Sequence, residues 1–432
     1  MNVYSIALIL MIICSVSMMM FVNNANAVGM EVRDKEGRLV YGQEANTKNN
    51  PYELGVWAFP VIIINLILLF LGILFYKKWL PTIMKKIIDF ALNFEVSKKI
   101  AFIIVAGLIA IYIISNVNRI WNSEEVTWGD YQAVLQEAKN FSYVSLISYL
   151  GFRALLLSIS LNFLGNIRII PFIVSISLLI LTYYFTTELS KKRFAGIISV
   201  VILLQSNLFL KYSVSATYDN DWTLFYVLSL YLIYKKWFLS PLSYALSFIS
   251  KFLVAIFLPM TFFLIYVSSL SKKEKIRIAL LYSVTILIPV GIELENFGRP
   301  VSDPNAILTG FSSLENFLRF DGLILIFLFP LIIGLFLASK RGILHADSLM
   351  ILIAGVIWSA PLLAGFTEIT NQPYRFVPLV VFFAVGVSVL FSNNVNRTLV
   401  TKKNYIPTLA FIFTIATVIV SMTSVIFPAL II

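Results

Sequence analysis

The chain has 432 residues, of which 59% are apolar and 13% are charged. Its mean hydropathy of +0.89 is typical of a protein whose main solvent is lipid, and no soluble domain is needed to account for it. The net charge of +11 comes from lysines and arginines that stand in short groups between apolar runs. This arrangement is typical of membrane topology signals and argues against nucleic acid as a partner.

The amino-terminal region is predicted to be exported. Residues 4–21 are apolar and lead to Ala25, Asn26 and Ala27, a small-residue pattern of the kind that precedes signal cleavage. Residues 1–27 are thus either a cleaved signal peptide or a retained amino-terminal anchor, and both place the polar segment 28–53 outside. Residues 54–99 then form an extra transmembrane helix with a basic cytoplasmic loop, ahead of a transmembrane domain over 100–432.

Apolar runs long enough to cross a bilayer recur along the chain. They predict an all-α, polytopic membrane protein with about 12–13 membrane helices and external juxtamembrane loop helices. The clear runs cover 54–75, 100–115, 169–185, 194–210, 252–267, 323–338, 349–366, 376–391 and 406–432. Shorter or less clean runs cover 222–234, 242–249 and 277–292.

Basic groups in nearly every second connection set the predicted orientation, because positively charged loops stay in the cytoplasm. These groups lie at 77–78, 85–86, 98–99, 191–193, 235–236, 272–277, 340–341 and 402–403. The connections 118–142, 213–221, 293–321 and 367–375 are then external. They hold most of the acidic residues that follow the amino-terminal segment, and the protein is expected in the plasma membrane.

Residues 143–164 break this alternation. The stretch is apolar enough to cross, but a full crossing would place the basic group 191–193 outside, and it contains Arg153. An unpaired arginine in hydrocarbon costs at least about 2.5–3.5 kcal/mol. We therefore expect a tilted, surface-lying or re-entrant helix on the external side.

The single cysteine and the single histidine limit the chemistry of the chain. Cys14 lies in the first apolar run, so there is neither a disulfide framework nor a thiolate metal site. His345 follows Lys340 and Arg341 in a connection predicted to face the cytoplasm, where we expect a solvated residue. A catalytic triad built on histidine is therefore excluded.

Two acidic clusters fall on the predicted external side. Asp219 and Asp221 precede an apolar run, and two carboxylates so close repel each other, which raises one pKa or recruits a cation or a hydrogen-bond donor. Glu124, Glu125 and Asp130 lie in another external connection. Solvation alone accounts for most loop carboxylates, so the functional interpretation depends on the two clusters meeting at one face.

Two cations are expected to face the same clusters. Lys251 lies roughly 22 Å above Lys236 if the intervening chain is helical, which places it in the outer part of the hydrocarbon. It is either a snorkelling lysine or a cation that holds an anionic headgroup. Tyr374 and Arg375 open a span from the external side, where the guanidinium is either an interfacial anchor or a phosphate ligand.

The order of these features resembles the GT-C superfamily of glycosyltransferases that use lipid-linked sugars, especially its protein O-mannosyltransferase and aminoarabinose transferase branch. The resemblance spans about residues 100–391. The motifs are an acidic residue with a juxtamembrane helix (130–138), an arginine and proline that open a span (168–171), a tyrosine-serine stretch followed by an aspartate (212–221), a small residue before a lysine (250–252), and an arginine with a nearby proline (375–378).

The resemblance implies transfer of a sugar from a polyprenyl or dolichyl phosphate to an external protein, lipid or glycan acceptor. Asp130, or Glu124 or Glu125, would be the general base, and Asp221 with Asp219 would orient the acceptor or base. The substrate-binding set would comprise Lys251, Arg375, Tyr374, Arg168 and Tyr131. Metal dependence varies within the superfamily, so a divalent cation is a possible cofactor.

This sequence departs from the family pattern in its first motif, because Glu124 and Glu125 are separated from Asp130. Two other functions compete with the transferase. A secondary transporter or lipid flippase also needs about a dozen helices and a buried cation, although such proteins tend to place ionisable residues near the midplane. A non-catalytic assembly subunit would use the same loops to bind a partner, without convergence of acids and cations.

Overall fold

The computed structural model describes residues 58–77, 79–122, 128–142, 151–217, 220–293, 321–343, 345–366, 373–392 and 405–426. Every regular element in these ranges is an α-helix or a 3-10 helix, which confirms the all-α class. The expectations for residues 1–27 and 28–53 fall outside the described residues.

The α-helices lie end to end along the described chain, with short connections. They are α1 (Ala58–Tyr76), α2 (Thr82–Asn93), α3 (Lys98–Asn122), α4 (Trp128–Lys139), α5 (Gly151–Leu164), α6 (Ile169–Ser190), α7 (Arg193–Gln205), α8 (Asn207–Tyr212), α9 (Asn220–Lys235), α10 (Ser240–Ser250), α11 (Leu258–Val267), α12 (Lys272–Glu293), α13 (Gly322–Lys340), α14 (Ala346–Phe366), α15 (Val377–Val389) and α16 (Tyr405–Ile426). The 3-10 helices are Trp237–Leu239, Phe252–Phe257 and Pro373–Phe376.

Three of these helices, α3, α6 and α13, are long and apolar enough to cross a membrane. Seven further apolar segments are shorter than a full crossing and lie within α1, α5, α7, α14, α15 and α16 and over Leu253–Val267. These helices support membrane association, and the number of about 12–13 spans stays a prediction.

The two ends of the helix bundle are defined by α6 and α9, which run parallel. At their first turns, Asn220 Nδ2 donates to Ser175 Oγ at 3.2 Å. At their last turns, Glu188 forms ion pairs with Lys235 and with Lys191. We call the first the Asp221 end and the second the Lys235 end.

Helix α10 runs antiparallel to α9 and is held to it by serines. Ser240, Ser243 and Ser247 donate to the backbone carbonyls of Ser229, Phe225 and Trp222, at 2.6–2.7 Å. Small hydroxyl side chains at helical spacing let two backbones approach closely in an apolar environment. Because Ser240 pairs with the later residue and Ser247 with the earlier one, α10 ends at the Asp221 end.

A glycine sets another close approach, between α11 and α14. A Cβ atom on Gly355 would lie 1.9 Å from the Met260 sulfur, so this position accepts only glycine unless Met260 moves. Met260 packs in the main apolar core with residues of α14.

The prediction that His345 is solvated is wrong. The residue is 2% exposed, and it adopts a left-handed conformation with φ 66° in the turn before α14. Its Nδ1 atom lies 3.1 Å from the Tyr234 hydroxyl, and the two rings meet edge to face. Burial lowers the pKa of His345 to about 3, so the ring is neutral. A loop position two charges away from a span gave no signal that the turn folds inward.

The described part of 143–164 is α5, which stays near the Asp221 end. Phe152 packs edge to face on Phe225 in the second turn of α9, and Ser160 accepts from the Ile170 backbone N–H at 3.0 Å. Arg153 is 8% exposed and is provided with carbonyl acceptors, described below. The arginine is thus accommodated by hydrogen bonds to backbone.

Candidate functional site

A partly enclosed cavity of about 280 Å³ opens at the Asp221 end. Its polar lining comes from Arg153, Asn220 and Asp221. The remaining lining is almost wholly apolar and comprises Leu156, Leu157, Ile170, Pro171, Val174 and Ala216. A site with a few convergent polar groups against an apolar wall is the usual form of a ligand site.

Asp221 reaches the cavity from the first turn of α9, and the residue is 6% exposed. A helix amino terminus carries partial positive charge and exposed N–H groups, so a carboxylate is stabilised there. Asn220, its neighbour, binds Ser175 and the Tyr212 carbonyl, the latter at 3.4 Å. The start of α9 is thereby fixed against α6 and against the end of α8.

The connection 213–217, which leads into α9, is held from two sides. Ser175 Oγ donates to the Ser213 carbonyl at 2.7 Å. Arg153 Nη2 donates to the carbonyls of Thr217 at 2.9 Å and Ala216 at 3.4 Å. Hydrogen bonds from a charged donor are stronger than neutral ones. Arg153 therefore both lines the cavity and fixes the backbone that precedes Asp221.

A small apolar cluster places α4 beside this cavity. Its buried members are Val134, Ala138, Leu157, Ile167 and Ala216. Leu157 and Ala216 belong to the cluster and to the cavity lining alike. Because Val134 and Ala138 lie on one face of α4, that face is fixed at the edge of the cavity.

Helix α4 also brings two predicted binding residues together. The Arg168 guanidinium carbon lies 5.9 Å from the Tyr131 ring centroid, within the range of a cation–π contact. Arg168 is 8% exposed and donates to the Ile120 carbonyl at 3.4 Å. Farther along α4, burial raises the pKa of the Glu137 carboxyl, and the charge of Arg153 opposes that rise.

Lys251 lies at the Asp221 end, as the end of α10 requires. It occupies the break between α10 and the 3-10 helix Phe252–Phe257, in an extended conformation with φ −157°. Its backbone N–H donates to the Ser247 carbonyl at 2.9 Å, and the residue is 8% exposed.

Arg375 is buried at the start of α15, in the 3-10 helix Pro373–Phe376, which contacts α8. At the other end of α15, Ser392 Oγ donates to the Ser190 carbonyl at 2.9 Å, at the end of α6. Arg375 thus belongs to the Asp221 end. The lining of the cavity includes neither Arg375 nor Lys251.

Three further charged residues at this end were not predicted as site residues. Arg153 was expected only as an exception in an apolar run. Arg119 donates to the carbonyls of Leu210 at 2.8 Å and Lys211 at 3.1 Å, which ties α3 to α8. An arginine in the last turn of an apolar helix, on the predicted external side, was the signal available for it.

Asp321 is the third, and it joins two helix starts. It accepts from the Ile324 backbone N–H at 3.2 Å as the N-cap of α13, and it accepts from Ser206 Oγ, which itself caps α8. Burial raises the pKa of Asp321 to about 6, and these hydrogen bonds oppose the rise.

Several predicted site residues fall outside this description. Glu124, Glu125 and Asp219 are outside the described residues, and Asp130 and Tyr374 are described only as backbone positions in α4 and in the 3-10 helix Pro373–Phe376. Within the part of the chain that is described, no group of three His, Cys, Asp or Glu side chains is placed to hold a metal ion.

Comparisons with known proteins leave the chain without an assigned relative. No protein-family model matches its sequence, and a search of curated proteins finds no match.

Proposed function

We propose that the protein is a membrane glycosyltransferase. It takes a sugar from a polyprenyl- or dolichyl-phosphate donor and passes it to an acceptor at the Asp221 end, on the extracytoplasmic side. The observation that carries the proposal is the cavity in which Asp221 and Arg153 face an apolar wall, with Lys251 and Arg375 buried at the same end of the bundle.

The form of the cavity supports an amphiphilic donor. A prenyl phosphate has a charged headgroup and an apolar chain, and the lining is likewise divided between polar residues and aliphatic side chains. Such a donor presents its phosphate at the outer edge of the hydrocarbon, so cations are needed there. Lys251 and Arg375 meet this requirement by their position, and Arg153 adds a third positive charge.

The proposed reaction is a displacement at the anomeric carbon. A carboxylate of the first external connection, Asp130 or Glu124 or Glu125, takes the proton of an acceptor hydroxyl. The acceptor oxygen forms a bond to the anomeric carbon while the bond to the phosphate oxygen breaks. Lys251 and Arg375 stabilise the lipid phosphate that leaves, and Asp221 with Asp219 orients the acceptor.

Transfer of labelled sugar tests the proposal with the purified, reconstituted full chain. The donor is a labelled polyprenyl-phosphate sugar, and Asp221→Asn and Lys251→Met are compared with the unaltered protein. We expect losses of 10²-fold or more for each, as for removal of one electrostatic stabiliser. Asp347→Asn and Lys192→Met are matched controls, because both residues are buried at the Lys235 end. Equal activity in site and control variants contradicts the site assignment.

A secondary transporter or flippase is the second candidate, and one observation favours it. The chain breaks at Lys251 between α10 and Phe252–Phe257, and transporters commonly bind charged substrates at such breaks in helices. The two functions differ in product. Movement of labelled prenyl phosphate across proteoliposomes, without formation of a new glycoside, supports the transporter and contradicts the transferase.

A further inference from the structure

Helix α2 is amphipathic, and its apolar side is exposed. Thr82, Lys85, Lys86, Asp89 and Asn93 recur at helical spacing on one side. The opposite side carries the apolar residues Ile83, Met84, Ile87, Ile88, Phe90 and Ala91. Ile83 is 74% exposed and Ile87 is 61% exposed, and no residue of this helix is buried. A helix of this form in water would leave its apolar side unburied.

The carboxyl-terminal end of α2 is fixed at the Lys235 end of the bundle. Lys192 Nζ donates to the Leu92 carbonyl, and Phe94 packs edge to face on Phe194 at 4.7 Å. Glu95 accepts from the Arg193 backbone N–H at 3.1 Å. These contacts hold α2 at the level of the turn between α6 and α7. Because α6 is long and apolar enough to cross a membrane, that turn marks the level where hydrocarbon gives way to headgroups.

The charge around α2 specifies the kind of surface that it fits. Residues 77–99 contain six lysines and two acidic residues. Lys77, Lys85 and Lys86 are exposed, as are Lys98 and Lys99 at the start of α3. Trp79 is 68% exposed, and Lys77 Nζ lies 4.7 Å from its ring centroid. Tryptophan and lysine together are typical of the interface between lipid and water.

We propose that α2 lies in the membrane interface at the Lys235 end and binds anionic phospholipid headgroups there. Its apolar side enters the bilayer by about 5–10 Å, and Lys85 and Lys86 face the phosphates. Each lysine near an anionic surface contributes roughly a fivefold gain in binding. This inference is independent of the sugar-transfer proposal, because it concerns the opposite end of the bundle.

Spin labels on the full chain in nanodiscs test the position of α2. In a Cys14→Ser background, Ile87→Cys and Asp89→Cys carry the label on opposite sides of the helix. We expect the label at 87 to be accessible to oxygen and shielded from a water-soluble nickel complex, and the label at 89 to be accessible to nickel. Nickel access at both positions overturns the proposal. Shielding of 87 from both reagents also overturns it, because another part of the chain or a second copy then covers the helix.

Lipid retention tests the headgroup preference. Full-length protein in nanodiscs of phosphatidylcholine with phosphatidylglycerol is extracted, and retained lipids are counted by native mass spectrometry. We expect Lys85→Gln with Lys86→Gln to lower phosphatidylglycerol retention by 10-fold or more. Lys272→Gln with Lys273→Gln is the matched control, because that pair begins α12 at the same end. Equal losses in both pairs overturn a headgroup site at α2, since total charge then accounts for retention.

Discussion

Arg153 and Asp221 line one cavity from different helices, and Arg153 also fixes the backbone that leads into Asp221. The guanidinium donates to the carbonyls of Ala216 and Thr217, and α9 begins three residues after Thr217. The position of the carboxylate therefore depends on an arginine that lies far from it in the chain.

Replacement of Arg153 by methionine should reduce both stability and activity. Two buried carbonyls lose a charged donor, at a cost of about 1.5–3 kcal/mol in the free energy of unfolding. Thermal unfolding in detergent measures this cost, and labelled sugar transfer measures the displacement of Asp221. Arg119→Met is the matched control, because Arg119 also binds two carbonyls but is absent from the cavity lining. Activity losses in proportion to stability in both variants would show that Arg153 is structural only.

Chemical labelling should place the two ends of the bundle in different compartments. Asn162 and Lys191 are exposed and lie near the Asp221 end and the Lys235 end. In a Cys14→Ser background, Asn162→Cys should react with an impermeant maleimide added outside intact cells. Lys191→Cys should react only after permeabilisation, because basic loops stay in the cytoplasm.

The reverse pattern of labelling would contradict the predicted orientation, and labelling of both positions from one side would contradict a crossing by α6. Unlabelled Cys14→Ser protein serves as the control for background reaction.

The ion pairs of Glu188 should contribute little to stability. Glu188 pairs with Lys191 and Lys235, whose side chains are 55% and 46% exposed. Partly exposed pairs contribute about 0–1 kcal/mol and are screened by salt. Glu188→Gln should therefore lower the unfolding free energy by about 1 kcal/mol or less, and the difference should shrink as salt rises. A loss of several kcal/mol that is independent of salt is the opposite result.

Hydrophobic periodicity and charge alternation predicted the class of the fold and the end at which each candidate lies. Lys251 is a clear case, because counting along a helix from Lys236 gives the end at which α10 terminates. The partners of Arg153 could not be predicted, since backbone carbonyls at 216–217 carry no sequence signal. His345 could not be placed either, because its burial depends on the packing of Tyr234 across the turn before α14.

The position of Asp321 and His345 at opposite ends predicts two opposing pH effects on stability. The pKa of Asp321 is raised by burial from 3.8 to about 6, so the folded protein takes up this proton more readily than the unfolded chain. Its contribution is complete below pH 3.8 and is lost as the pH rises to about 6. The pKa of His345 is lowered by burial from 6.5 to about 3, so its contribution is complete above pH 6.5 and is lost as the pH falls.

Between pH 4 and 6 each group changes the unfolding free energy by about 1.4 kcal/mol per pH unit, with opposite signs, and the two slopes cancel. Asp321→Asn should therefore make the protein lose stability on acidification from pH 6 to 4, relative to the unaltered chain. His345→Gln, which keeps an acceptor for the Tyr234 hydroxyl, should make it gain stability over the same interval. Denaturant unfolding in detergent at several pH values measures both slopes. The double variant should restore a flat difference, because neither proton is then bound, and a slope shared by all four proteins would assign the pH dependence to other groups.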